Sequence, residues 1–466
     1  MQVEWWGIIP FVLMLATIAV APLVPALNHH WESRRIQLLV ALVLGVPVAI
    51  WFITGGDGRT VVHALVEYGQ FTTLLLALFV VSGGIFLSGD LRATPRVNTV
   101  FLAVGAGLAS FIGTTGAAML LIRPLLNTNQ ERRHRMHSVV FLIFIVANCG
   151  GLLTPLGDPP LFLGMLRGVP FTWTFSLFPM WLFVNALLLL TYYALDRRLY
   201  ALEPEANKRL DAERIEPLRI KGAIHFAFLA VIVLAVAFAP SLDLHAIEEG
   251  QASLTQWVPW REVIMLTVAI ISLRTGDLKA RFVDNRFQWG PIQEGAALFI
   301  GIFLTMMPAL RYLAQVAPDL PLNRVTFFVF TGGLSAVLDN APTYVTFFEM
   351  ARELGGEPSV AGVYAPYLVS ISLGAVFCGA ITYIGNGPNF MVKAVADGAG
   401  VQMPSFVGYV VLAFRYLVPT LIAMMLIFLT GVLWAQLAGW ALTAFLVLRA
   451  LRTGVVRNKA RLSAPQ

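Results

Sequence analysis

Apolar runs close to twenty residues long recur along the whole chain, separated by short polar stretches. That length suits a helix crossing a bilayer. The pattern predicts continuous helices over about 5–27, 36–54, 64–88, 171–195, 222–240, 256–273, 292–308, 405–435 and 438–452. Four more apolar runs, 97–127, 138–166, 323–353 and 362–396, are interrupted by polar or Gly/Pro clusters. The first is broken at Ser110-Phe111-Ile112-Gly113-Thr114-Thr115-Gly116, the third at Gly332-Gly333-Leu334-Ser335 and Asp339-Asn340-Ala341-Pro342. In hydrocarbon such a break is tolerated only where protein or a wet cavity receives the freed backbone groups.

The other two breaks are one pattern written twice. Shifted by 228 positions, Gly151, Thr154, Gly157, Asp158, Pro160 and Phe162 fall on Gly379, Thr382, Gly385, Asn386, Pro388 and Phe390. Paired interruptions at matching places in two halves point to the binding site of a secondary transporter.

Basic residues near span ends mark the cytoplasmic side. Loop 196–221 carries Arg197, Arg198, Lys208, Arg209, Arg214, Arg219 and Lys221, and loop 274–290 carries Arg274, Lys279, Arg281 and Arg286. The tail carries Arg449, Arg452, Arg457, Lys459 and Arg461, whereas loop 241–255 is acidic, with Asp243, Glu248 and Glu249. Run 97–127 has basic flanks on both sides, Arg92 and Arg96 before it and Arg132, Arg133 and Arg135 after it. A single crossing would put those flanks on opposite sides, so a hairpin that enters and returns fits better. Run 323–353 then becomes a hairpin entering from outside.

The expected fold is an all-α polytopic membrane protein of about eleven crossing helices and two opposed re-entrant hairpins. It divides into a first inverted repeat, 1–195, a basic cytoplasmic linker, 196–221, a second inverted repeat with an extra C-terminal helix, 222–452, and a cytoplasmic tail, 453–466. The N-terminus is expected outside and the C-terminus in the cytoplasm. Met1 to Trp6 carries no basic n-region, so it reads as the start of a retained helix.

Composition agrees. Hydrophobic residues make up 58% of the 466 and charged residues only 12%, half of what a soluble chain carries. The net charge of +6 follows from the loop asymmetry and does not imply nucleic acid. Cys149 and Cys378 are too few for a disulfide framework and read as small packed residues. The seven histidines sit at or beyond span ends without metal-ligand spacing. No phosphate-binding glycine loop with its lysine occurs, which argues against an ATP-driven pump, and nothing points to an enzyme.

Asp158 and Asp339 are the informative acids. An ionisable residue at membrane depth costs at least about 2.5–3.5 kcal/mol and is a functional candidate by default. Burial favours the protonated form of a carboxylate and a bound cation the ionised form, so one group can exchange a proton for Na+. Either Asp can also serve as the N-cap of a half-helix, a reading ranked below ion coupling, and the two roles can coexist. Asn340, Thr154, Ser335 and Asn386 add neutral oxygens and amides for an ion, while Thr114, Thr115, Gly116, Asn148, Thr382 and Asn389 are candidates for a substrate site or hairpin tip. Arg123 and Lys393 read as cations that snorkel, and Glu294 and Glu349 read first as structural, with membership of a proton route as the lesser reading. No bound cofactor is expected beyond transported or coupling Na+ and H+. The partners are the lipid bilayer and a small inorganic cation or small anion.

Leu338-Asp339-Asn340-Ala341-Pro342-Thr343, Gly150-Gly151 through Thr154-Pro155-Leu156-Gly157-Asp158, and Tyr383-Ile384-Gly385-Asn386-Gly387-Pro388-Asn389-Phe390 resemble the ion transporter superfamily. That superfamily groups NhaD-type sodium/proton antiporters, arsenite permeases and citrate or dicarboxylate carriers. Similarity to the NhaD-type branch implies an inner-membrane Na+/H+ antiporter with eleven helices, two opposed hairpins, elevator-like movement and commonly a homodimer. Asp158, Asp339 and Asn340 match that branch. Thr115-Gly116 departs from it, standing where those antiporters have Asp-Asn, and Gly116-Ala117-Ala118 looks closer to the arsenite permeases. A cation-coupled citrate or dicarboxylate carrier is the alternative, then an arsenite efflux permease.

Overall fold

A computed structural model describes residues 3–21, 24, 31, 33–248, 250 and 252–454. His29, His30, Glu249, Arg457, Lys459, Arg461 and most of the expected tail lie outside the described residues, as does the side chain of His245. In chain order the helices are α1 (Ile9–Val20), α2 (Arg34–Thr54), α3 (Gly58–Ser82), α4 (Pro95–Ile112), α5 (Thr114–Thr128), α6 (Met136–Ile145), α7 (Pro159–Leu166), α8 (Phe178–Ala201) and α9 (Glu205–Glu213). They continue with α10 (Ile224–Phe238), α11 (Trp260–Arg274), α12 (Gly290–Val316), α13 (Arg324–Ser335), α14 (Asn340–Leu354), α15 (Ala365–Cys378), α16 (Gly387–Gly398), α17 (Phe406–Tyr416), α18 (Val418–Phe428) and α19 (Leu433–Gly454). Among the described residues, six helices are long and apolar enough to cross a membrane, or seven when α17 and α18 count as one bent span. Four shorter apolar helices accompany them. The chain is an all-α polytopic membrane protein.

Its outside is apolar in a helical period. On α2 the exposed positions include Leu39, Val43, Val46, Ile50 and Ile53, spaced three and four apart, while Gln37 on the opposite face is buried. A water-facing helix would carry the reverse pattern; here hydrocarbon is the solvent.

Helices α4 and α5 turn back on each other through one residue. Gly113, at φ 80°, closes α4 and opens α5, a conformation in which any Cβ is strained. The two open ends meet again: Asn98 Nδ2 donates to Asn129 Oδ1 at 2.8 Å and Asn129 Nδ2 to Asn98 Oδ1 at 3.0 Å. Helices α13 and α14 form the second helical hairpin, with Phe327 and Phe347 packed edge to face at 6.4 Å.

Among the boundaries that depart from the sequence reading, three have an evident cause. Run 64–88 ends early at Ser82, because Gly83-Gly84 breaks the helix and strand β1 (Phe86–Asp90) follows. The linker 196–221 is ordered: α8 runs on to Ala201, α9 follows, and β2 (Glu216–Lys221) pairs antiparallel with β1. Run 405–435 bends by 40° between α17 and α18, where Pro419 opens the second helix. Each departure is set by a partner or a breaker that hydrophobic run length does not register.

A buried polar cluster fastens the base of the first hairpin. Asp196, on α8, accepts from Arg132 Nη2 at 2.5 Å, His137 Nε2 at 2.8 Å and Asn98 Nδ2 at 3.3 Å. Glu203 accepts from the backbone N–H groups of Arg133 and His134. Arg132 and His137, read from sequence as loop and span-end residues, are therefore interior.

Asp90 closes the ribbon nearby. Burial, then the carboxylates of Glu131 and Asp211, push it up to about 6. The folded chain thus keeps a proton that the unfolded chain releases near pH 4. Stability is present below that pH and is lost as pH rises from about 4 to about 6. Asp90→Asn is expected to raise the Tm at pH 7.5 and leave it unchanged at pH 4. Equal Tm differences at both pH values in detergent melts would reject this assignment.

Candidate functional site

The two broken helices are held open by a repeated hydrogen-bond scheme, in which Thr154 and Thr382, 228 positions apart, play the same part. Thr154 Oγ1 donates to the carbonyl of Ser110 on the first hairpin and accepts from Leu156 N at 3.2 Å. Thr382 Oγ1 donates to the carbonyl of Ala336 on the second hairpin at 2.5 Å and accepts from Ile384 N at 3.2 Å. Side chains receive several more carbonyls. Gly150 O accepts from Ser110 Oγ and Trp181 Nε1, Leu153 O from Thr174 Oγ1, Gly379 O and Thr382 O from Asn389 Nδ2, and Ala380 O from the Tyr409 hydroxyl. The breaks are satisfied mostly by protein, which is what allows them at this depth.

The glycines of the repeat make this possible by close approach. A methyl at Gly157 would be pressed into the carbonyl of Gly151, and one at Gly385 would lie 2.6 Å from Gly379 O. Gly157 O also accepts from Thr114 N at 2.8 Å, tying the hairpin tip to the break. Gly157→Ala is therefore expected to lower the Tm by the equivalent of about 1–3 kcal/mol, the usual cost of overpacking, and to remove transport. Gly107→Ala, on α4 with nothing within 4 Å, is the control and is expected to be harmless.

All four interrupted elements converge on one carboxylate. Asp158, 1% exposed, accepts through Oδ1 from Thr114 Oγ1 at 3.0 Å and Asn386 Nδ2 at 3.1 Å, and through Oδ2 from Asn340 Nδ2 at 2.5 Å. Thr114 belongs to the first hairpin, Asn340 to the second, and Asn386 to the second broken helix. Behind them Asn386 Nδ2 reaches Asn148 Oδ1 at 3.2 Å, and Asn148 Nδ2 donates to Asn389 Oδ1 at 2.7 Å. Asn340 Oδ1 is buried without a partner among the described residues. An orphaned carbonyl oxygen beside a carboxylate suits a hard cation.

Beside this cluster lies a cavity of about 180 Å³, lined by Thr114, Thr115, Gly116, Asp158, Asp339 and Asn386 and walled by Phe71, Phe162 and Phe299. Its volume far exceeds the roughly 10–15 Å³ that admits one water. Among the described residues no Lys or Arg lines it. Four helices begin here, at Thr114, Pro159, Asn340 and Gly387, and turn the positive ends of their dipoles inward.

The other sequence candidates have distinct positions. Asp339 lines the cavity and caps α14, its Oδ1 accepting from Ala341 N at 3.0 Å. Asp158 precedes α7 but makes no side-chain cap bond there. Thr154, Thr382 and Ser335 donate to backbone carbonyls away from the carboxylate, Ser335 to Ala375 O at 2.7 Å. Lys393 pairs with Asp397 at 2.7 Å, Glu349 with Arg167 at 3.1 Å, and Glu294 accepts from Gln37 at 2.9 Å. Both cysteines are free and buried. Among the described residues no three His, Cys, Asp or Glu side chains cluster as metal ligands. The aromatic wall and Ser110 as a hydrogen-bond partner of the break escaped the sequence reading, because helices far apart in sequence supply them.

Two proteins named "Uncharacterized transporter", from Mycobacterium bovis and Mycobacterium tuberculosis, are each 26% identical to this chain over 326 residues, 66% of this chain and 71% of theirs. A family model described as "Putative citrate transport" matches residues 1–429. The match supports a transporter family and does not single out the NhaD-type branch. Taken with the paired breaks and the buried carboxylate they share, the match over residues 1–429 means that the chain belongs to the family described as putative citrate transport.

Proposed function

We propose that the chain is a secondary carrier for a small polycarboxylate of the citrate class, coupled to a cation. The observation that carries this reading is the meeting of four interrupted elements at Asp158 beside a cavity ringed by four helix N-termini. Substrate carboxylates would be received by those N-termini and by the amides of Asn340 and Asn386. Asp158, with the unpartnered Asn340 Oδ1, would hold the cation that keeps a polyanion from being repelled. In this reading the two hairpins dip into an inner membrane from opposite sides, with the basic loops in the cytoplasm. The return of the first hairpin to its starting level, marked by Asn98 and Asn129, supports that placement.

A second reading, Na+/H+ antiport with Asp158 and Asp339 shared between ion and proton, is favoured by one observation. Among the described residues the cavity has two acids, Asp158 and Asp339, and no basic side chain. Labelled citrate uptake into proteoliposomes, with Na+ and proton gradients imposed in turn, separates the two. Gradient-dependent uptake above empty liposomes supports the carrier. Na+- or Li+-driven proton movement without citrate uptake supports the antiporter, and neither signal would reject both. Each net charge moved taps about 2.3 kcal/mol per 100 mV, so an imposed potential reads the stoichiometry.

A further inference from the structure

A void larger than the cavity beside Asp158 lies away from the carboxylate site. It is a slot of about 470 Å³ between α4 of the first hairpin, the β1–β2 ribbon and α10. Apart from Arg96 its lining is wholly apolar. The sequence accounts for one wall: β2 alternates, so Leu218 and Ile220 share a face while Arg219 and Lys221 take the other. The opposite wall is the outer stripe of α4, where Val100 is 61% and Val104 53% exposed, and Leu121 of α5 lies among the lining. Among the described residues no further element of the chain fills the space between this ribbon face and α4.

We propose that this slot binds one acyl chain of an anionic phospholipid, with the phosphate at Arg96. Three observations argue for that occupant. Along α4 the slot runs from Arg96 to Leu108, about 18 Å at 1.5 Å per residue. One leaflet of hydrocarbon is roughly 15 Å deep, half of the ~30 Å core. Arg96 is exposed at one end of the slot, and no acidic side chain pairs with it among the described residues. Arg92, four residues earlier and also exposed, places a second cation in the segment that leads into α4. A basic residue at the mouth of an apolar slot between membrane helices is complementary to an anionic headgroup carrying its tail inward. Because α4 carries the tip residue Thr114 at its far end through Gly113, a lipid seated here lies against the element that touches Asp158.

Native mass spectrometry of the full chain in detergent, titrated with phosphatidylglycerol and separately with phosphatidylcholine, tests this. The wild type is expected to retain one phosphatidylglycerol per chain more tightly than phosphatidylcholine. Arg96→Gln, a surface change, is expected to weaken phosphatidylglycerol binding about five-fold and leave phosphatidylcholine unaltered. Val104→Trp fills the slot and is expected to lower binding of both lipids. A melting curve establishes whether that variant is folded, and if it is not, Arg96→Gln decides alone. Wild-type phosphatidylglycerol affinity in Arg96→Gln, or undiminished lipid binding in folded Val104→Trp, would overturn the assignment.

Discussion

Asp158→Asn is expected to reduce transport by two orders of magnitude or more while the protein still folds. The change removes charge and keeps shape. Asp158 accepts hydrogen bonds from Thr114, Asn386 and Asn340. An asparagine keeps one acceptor for Thr114 and Asn386, and its new NH2 can face Asn340 if that amide turns its free Oδ1 round. Hydrogen bonds to a charged group are worth about 1.5–3 kcal/mol each, so losing the ionised form removes roughly 10–100-fold per contact made by cation or substrate. Initial uptake rates in proteoliposomes, with melting curves beside them, give the readout; near wild-type uptake would take Asp158 out of the mechanism. Asn386, the position equivalent to Asp158, approaches it to 3.1 Å. The double variant Asp158→Asn with Asn386→Asp returns a carboxylate to the same pocket, and partial recovery of uptake is expected. A merely structural Asp158 would give no such rescue.

The largest loss of stability is expected from Asp196→Ala. Arg132 is only 5% exposed, and its short ion pair is with Asp196; Glu203 is the next carboxylate, at 4.0 Å. Deleting Asp196 leaves a buried guanidinium poorly compensated and removes the acceptor for His137 and Asn98. Breaking a buried pair from one side costs about 3–5 kcal/mol. Replacing both charges, Arg132→Met with Asp196→Leu, is expected to melt well above Asp196→Ala, because an apolar pair strands no charge. Thermal melts of the three proteins in one detergent decide this. Equal Tm values for the single and double variants would mean that the cost is lost packing and not an uncompensated charge.

These two acids mark the limit of what the chain discloses as text. Asp158 stands out from sequence because a charge beside Gly157 and Pro159 inside an apolar run has few explanations, and because its equivalent Asn386 recurs 228 positions later. Asp196 lies in a basic stretch and looks solvated. Only packing reveals that Arg132, His137 and Asn98, from three other elements, converge on it. Arg281 is similar: read as a loop cation, it is buried against the carbonyls of Val80 and Ser272, near the ends of α3 and α11.

The sequence by itself determined the class of protein, the positions of the four breaks and the short list of polar residues within them. Hydrophobic run length and glycine–proline punctuation are local properties, and the bilayer makes local properties decisive. Tertiary structure decided which of those residues meet. It turned Thr154, Thr382 and Ser335 toward backbone carbonyls, gathered Thr114, Asn340 and Asn386 around Asp158, and made α9 and a β-ribbon out of a charged linker. The reason is that a buried polar atom must find a partner wherever one is available, and in this fold the partners come from as near as 7 residues and as far as 241.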